Sequence, residues 1–181
     1  NNNNENNGWT RRKALAQAIT LLESRNHEQQ EIANALLTKL SSSHPQQQQH
    51  KRAFRIGIAG SPGAGKSTFL EAFGSHLLEH DLVDQFAILC IDPSSPMGGG
   101  SILGDKTRLT TLAANPNCFI RPSPSKSVLG GLAPHTESVS HLVSCLYPLV
   151  LIETVGLGQS ELDISQVADM VVYLVTPNSG D

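Results

Sequence analysis

The sequence predicts an α/β fold: a mainly parallel sheet between two helical layers, preceded by a small N-terminal helical hairpin. Three observations carry that expectation. From Phe54 onward, short apolar runs alternate with segments whose apolar residues recur at helical spacing, the pattern of strands joined by crossover helices. The apolar runs are continuous, as in Phe86-Ala87-Ile88-Leu89-Cys90-Ile91, which suits strands buried on both faces. The first run also leads into a glycine-rich turn at Gly60 and then a helical pattern. In such sheets ligands sit at the carboxyl ends of the strands, and that turn lies at one of them.

The elements follow in order. Residues 1–8 are mostly asparagine, a composition expected to lack ordered structure. Residues 9–40 read as a helical arm. Arg11 to Glu23 places Leu15, Ala18, Ile19 and Leu22 on one face. Asn26 caps a second helix, with Gln29 three residues later as in a capping box. Its apolar stripe is Ile32, Leu36, Leu37 and Leu40. The arm is either a hairpin docked on the main domain or a partner-binding appendage. Residues 41–52 form a Ser/Gln-rich linker.

Residues 53–181 are the main domain. Phe54 to Ala59 is a buried strand, and Phe69, Leu70, Phe73, Leu77 and Leu78 mark the helix after the turn. Phe86 to Asp92 is a second strand, followed by a Pro/Ser/Gly-rich loop from Pro93 to Gly104. A short helix over Asp105 to Ala114, a short strand from Cys118 to Arg121 and another loop to Gly131 come next. Glu137 to Leu146 is helical, with Val139, Leu142, Val143 and Leu146 as its stripe. Leu149 to Ile152 is a strand leading to Glu153, Leu162 to Ala168 a helix, and Met170 to Val175 a last strand.

Composition narrows the function. With 39% hydrophobic but 4% aromatic residues, the core must be mostly aliphatic, and a net charge of −3 offers no basic field for nucleic acid. No apolar run has the length of a membrane span. Cys90, Cys118 and Cys145 are far apart and fit neither a zinc nor a C-x-x-C spacing. The first residue is asparagine and the last are Gly180-Asp181, so the chain reads as a C-terminally truncated piece of a longer protein.

The chemistry centres on Gly60-Ser61-Pro62-Gly63-Ala64-Gly65-Lys66-Ser67-Thr68, which fits the phosphate-binding pattern G-x-x-x-x-G-K-[ST] of P-loop NTPases. Its glycines let the backbone turn sharply and approach a ligand. Its N–H groups and the following helix N-terminus form an anion-binding concavity. Lys66 is placed to reach the β- and γ-phosphates, the Ser67 hydroxyl to bind Mg²⁺, and Thr68 to contact the α-phosphate. Mg²⁺ is held by one or two carboxylates plus waters. Asp92 and Glu153 supply acids at two strand ends, and Asp105 a third from a Gly-rich segment. In Glu153-Thr154-Val155-Gly156 the Gly156 N–H is placed to sense the γ-phosphate.

Several further runs resemble one family. They are Asp92-Pro93-Ser94-Ser95, Gly99-Gly100-Ser101-Ile102-Leu103-Gly104-Asp105-Lys106-Thr107-Arg108, Ile120-Arg121-Pro122-Ser123-Pro124, Leu129-Gly130-Gly131 and Ile152-Glu153-Thr154-Val155-Gly156-Leu157-Gly158-Gln159-Ser160-Glu161. With the phosphate loop and Arg11 to Ser24 they resemble, in order, the GTPases that chaperone methylmalonyl-CoA mutase, the ArgK-type and methylmalonic aciduria type A proteins of the SIMIBI class. The resemblance implies a metallochaperone-class G protein that couples GTP hydrolysis to loading and protecting a cobalamin-dependent mutase. It implies GTP/GDP and Mg²⁺ as ligands, with Lys66, Asp105 and Glu153 as catalytic groups and Asp105 orienting the attacking water. Ser67, Asp92, Asp105 and Glu153 would then hold the ion or its waters. Implied partners are the mutase, a cobalamin adenosyltransferase and, in the full-length protein, a second copy, with no nucleic acid or membrane. The implied site is the mitochondrial matrix in a eukaryote and the cytoplasm in a bacterium.

The family reads guanine through an Asn-Lys-x-Asp motif, and no such run occurs in these residues. A P-loop kinase or transport ATPase is therefore the alternative, and a nucleotide-regulated scaffold with little hydrolysis a third. His76-Leu77-Leu78-Glu79-His80 also matches a zinc pattern, H-x-x-E-H. It lies at the end of its helix far from Lys66 and lacks an evident third ligand, so a solvated histidine face is the favoured reading.

Overall fold

The computed structural model describes residues 2–24, 26–42, 53–92, 109–124, 134–154 and 164–177. Its elements run α1 (Asn2–Leu22), α2 (His27–Ser42), β1 (Phe54–Gly60), α3 (Lys66–Glu79), β2 (Phe86–Asp92), α4 (Thr110–Ala114), β3 (Cys118–Pro124), α5 (Pro134–Ser144), β4 (Leu149–Thr154) and β5 (Met170–Leu174). The five strands form one sheet in the order β3-β2-β4-β1-β5, every pair parallel. This is the expected three-layer α/β architecture.

Alternation along the strands assigns the layers. On β2, Ala87, Leu89 and Ile91 face one cluster, while Phe86, Ile88 and Cys90 face the other, as the two-residue period of a strand requires. The first cluster is closed by α1, α2 and α5, through Ile19, Leu22, Ala33, Val139, Leu142 and Val143. The second is closed by α3 and α4, through Leu70 and Leu112. The core is aliphatic, as the composition demands, with Phe86 its largest fully buried side chain.

The arm is thus part of the main core: Leu15, Ile19 and Leu22 of α1 lie in the same cluster as Leu89 and Ile152 of the sheet. Polar contacts lock it in place. Arg121 Nη2 of β3 donates to Glu23 at 2.7 Å, and Arg12 donates to the Cys118 carbonyl. The docked hairpin is the arrangement observed. The second helix is capped as read: Asn26 Oδ1 accepts from the Glu28 and Gln29 amides at 2.9 and 3.3 Å. The reciprocal half of the box is replaced, because the Asn26 amide donates to Ser24 Oγ at 3.1 Å and the Gln29 side chain also meets Ser24.

Four expectations are corrected. Ile32 is not in the stripe of α2; it is 54% exposed, and Ala33 takes the buried position. α1 begins at Asn2 and takes in the asparagine tract expected to lack structure; extending a formed helix costs far less than nucleating one. β3 continues through Pro122 to Pro124, which β3 tolerates because it is an edge strand. Leu146 lies past the end of α5, although it still packs against the core. The stretches 43–52, 93–108, 125–133 and 155–163, with the linker and loops expected there, lie outside the described residues.

At the other edge, Arg55 and Asp169 tie β5 to β1. The guanidinium grips the carboxylate through Nε at 3.1 Å and Nη2 at 2.9 Å. The Arg55 amide adds a third bond to it, at 2.9 Å. Met170, Val171 and Tyr173 of β5 remain exposed. No helix among the described residues is long and apolar enough to cross a membrane.

Candidate functional site

The carboxyl ends of β1, β2 and β4 meet the N-terminus of α3 in one cavity of about 640 Å³, lined by Pro62, Gly63, Gly65, Lys66, Ser67, Thr68, Cys90, Ile91, Glu153 and Thr154. The register explains the meeting. Ile58 pairs with Glu153 and Glu153 with Cys90, so three adjacent strands end side by side. The loop from Gly60 then crosses their ends into α3.

The glycines of the loop do different things. Gly65 is the N-cap of α3 at φ 87°, ψ 20°, and among the described residues no side chain caps the helix. Its N-terminal amides are therefore left for a ligand. Gly63 also has a positive φ, 83°, and open space around it, so at both positions the backbone conformation demands glycine. At Gly60 the reason is proximity as well: a Cβ there would stand 2.4 Å from the Leu174 carbonyl oxygen of β5.

Lys66 is buried, and its Nζ donates to the Gly60 carbonyl at 2.6 Å and the Ser61 carbonyl at 3.0 Å. An ammonium is costly to bury without such partners, and these hold it beside the cavity. Ser67 Oγ donates to Glu153 Oε1 at 3.0 Å, and Glu153 is buried on the α3 side of the sheet. A hydroxyl and a carboxylate in contact at a helix N-terminus are hard oxygen donors of the kind Mg²⁺ takes when phosphates and waters complete its shell. The donor set therefore fits that ion.

Of the residues singled out by sequence, the structure brings together Gly60, Ser61, Pro62, Gly63, Ala64, Gly65, Lys66, Ser67 and Thr68 with Glu153. Asp92 is placed by its backbone at the end of β2, opposite Pro124; its side chain, and all of Asp105 and Gly156, lie outside the described residues. Cys90, Ile91 and Thr154 line the cavity and were not foreseen as site residues. Their signal was available, since each lies within two residues of a carboxylate at a strand end.

The other candidates fall away from the cavity. The His76 and His80 rings lie 4.2 Å apart, tilted by 57°, at the C-terminal end of α3, and no group of three metal-binding side chains occurs among the described residues. Cys118 is buried, and desolvation pushes its thiol from 9.0 up to about 12, which removes it as a nucleophile.

Comparison with known proteins gives the family. Residues 15–181 match the family described as "Methylmalonyl Co-A mutase-associated GTPase MeaB". A "Putative GTPase" of Caulobacter vibrioides is 47% identical over 171 residues, covering 94% of this chain and 50% of that protein. The "Methylmalonic aciduria type A homolog, mitochondrial" of Mus musculus is 43% identical over 177 residues, with 94% and 42% covered. "GTPase ArgK" of Escherichia coli is 43% identical over 171 residues, with 94% and 49% covered. The chain spans about half the length of the curated relatives it matches.

Proposed function

Because the chain belongs to the methylmalonyl-CoA mutase-associated GTPase family, we propose that its protein binds and hydrolyses GTP, with Mg²⁺, to assist cobalamin loading and protection of that mutase. The observation that carries the proposal is the pairing of Ser67 with Glu153 beside a buried Lys66 held on the loop's own carbonyls. Three groups with phosphate and metal chemistry are poised at one helix N-terminus.

In this reading the loop amides and the first turn of α3 cradle the α- and β-phosphates. Lys66 Nζ exchanges the Gly60 and Ser61 carbonyls for β- and γ-phosphate oxygens, a short move because those carbonyls belong to the same loop. Ser67 and Glu153 hold the ion or its waters, with Asp92 and Asp105 as further acids. When bound, Mg²⁺ neutralises charge developing on the β- and γ-phosphates. Asp105 orients the attacking water, and the Gly156 N–H senses the γ-phosphate. Relatives named GTPase or mitochondrial homolog support GTP as substrate and a mitochondrial site in a eukaryote. The E. coli relative bearing the ArgK name is itself called a GTPase, which favours GTP hydrolysis over a kinase or transport ATPase. The mutase, a cobalamin adenosyltransferase and a second copy of the protein are the partners in this proposal.

Lys66→Ala in the full-length protein tests it. The variant removes a charged hydrogen bond to phosphate, so GTP–Mg²⁺ affinity by calorimetry should fall about 10- to 100-fold. Its far-ultraviolet circular dichroism should match the wild type. Wild-type affinity in the variant would overturn the phosphate-loop assignment.

A further inference from the structure

One acid on α3 has no part in the site described above. Glu71 lies four residues after Ser67, on the same face of the helix. Its Oε1 accepts from the Thr111 amide at 2.7 Å and from the Leu112 amide at 3.3 Å. Those are first-turn amides of α4, whose own N-cap, Leu109, offers no side-chain bond. Glu71 thus does from a neighbouring helix what an N-cap side chain ordinarily does from within. Among the described residues its other oxygen, Oε2, is buried and has no hydrogen-bond partner.

Packing makes the link stiff. Leu109 and Leu112 share a buried cluster with Leu70 and Phe86. One turn beyond Glu71, a Cβ at Gly74 would meet Leu112 Cδ1 at 2.7 Å, so α3 and α4 touch as closely as a glycine allows. A single row on α3 therefore makes three contacts: Ser67 to Glu153 at the phosphate end, Glu71 to the α4 amides, and Gly74 to Leu112.

Resting on the GTPase reading above, we infer that Glu71 is a positioning residue for hydrolysis: it fixes α4 to the phosphate-loop helix. α4 begins five residues after Asp105 in the chain, so its placement sets where the polypeptide carrying that acid is anchored. A shift of the first turn of α3 on phosphate binding reaches α4 through the two Glu71 bonds. Glu71 itself touches neither nucleotide nor metal in this account.

The test uses the full-length protein with Glu71→Ala, Glu71→Asp and Glu71→Gln. Misplacing a catalytic anchor by an ångström costs up to about 100-fold, so Glu71→Ala should lower single-turnover GTP hydrolysis by about tenfold or more, while GDP affinity stays within about threefold. Glu71→Asp, which retracts the acceptor while keeping the charge, should show the same split and covers the case in which the alanine variant does not fold. Glu71→Gln keeps an acceptor oxygen and should restore most of the rate. Hydrolysis at the wild-type rate in Glu71→Ala and Glu71→Asp would overturn the inference. So would parallel loss of hydrolysis, GDP affinity and melting temperature in both variants, the signature of a merely structural cap. Two controls separate the levels: if the wild-type protein hydrolyses no GTP, the GTPase reading fails and this inference fails with it, whereas hydrolysis by the wild type that is unchanged in Glu71→Ala and Glu71→Asp overturns this inference alone.

Discussion

Glu153 and Ser67 stand 86 positions apart in the chain and 3.0 Å apart in the molecule, and their contact has a clear consequence. The acid is buried at the end of β4, and on the reading above its charge acts on the ion rather than on the loop amides. Glu153→Gln keeps the shape and an acceptor for the serine hydroxyl but loses the charge. Magnesium-dependent hydrolysis should therefore fall by about 100-fold or more, in the range seen when one electrostatic stabiliser is removed. GDP affinity, set mainly by loop amides and Lys66, should change by less than about fivefold (~1 kcal/mol). Single-turnover hydrolysis and GDP titration on the same preparation check this, and equal loss of both would make Glu153 a structural acid. The pair was legible as two separate motifs, because a phosphate loop and an acid-x-x-Gly run both have fixed spacings. Their contact was not legible, since it depends on parallel register between β1 and β4. Glycine shows the same limit. The turn predicts positive φ at Gly63 and Gly65, but nothing near Gly60 in the chain reveals the Leu174 carbonyl that excludes a side chain there.

At the scale of elements, periodicity located the strands and helices of the main domain because their faces are uniformly apolar. It failed where burial depended on a partner. The stripe of α2 could have used Ile32 or Ala33, and the smaller residue is the one that fits against α1 and the sheet. Proline suggested an early end to β3, yet an edge strand does not need every N–H. The docked arm leads to a prediction. Ile19 is fully buried between α1 and the sheet, whereas Ile32 is more than half exposed. Ile19→Ala should destabilise the protein by about 2–5 kcal/mol, and Ile32→Ala by no more than about 0.5 kcal/mol. Denaturant unfolding followed by circular dichroism checks both. If the arm were a loosely attached appendage, Ile19→Ala would leave the main unfolding transition where it was.

Over the whole molecule, the reading proposed above makes the described cavity a phosphate site first. Its lining consists of loop residues, Cys90, Ile91, Glu153 and Thr154, and none of these is of the kind that reads a purine edge in the family's Asn-Lys-x-Asp motif. That motif is absent from residues 1–181. A site that recognises a base by buried hydrogen bonds rejects an analogue by about 10⁴-fold or more, because its polar groups are left unpaired. Contacts to the triphosphate are identical for every nucleotide and give no such discrimination. The polypeptide of residues 1–181 should therefore bind GTP and ATP with affinities within about tenfold of each other, a difference below about 1.4 kcal/mol. Both affinities should depend on Lys66, since the phosphates carry the binding. Competition of GTP and ATP against a fluorescent nucleotide, with and without Lys66→Ala, measures the two dependences together. A GTP preference of about 100-fold or more in this polypeptide would show that guanine is read by residues other than those lining the cavity. Loss of that preference in Lys66→Ala would trace it to phosphate placement, and its survival would place it on the base.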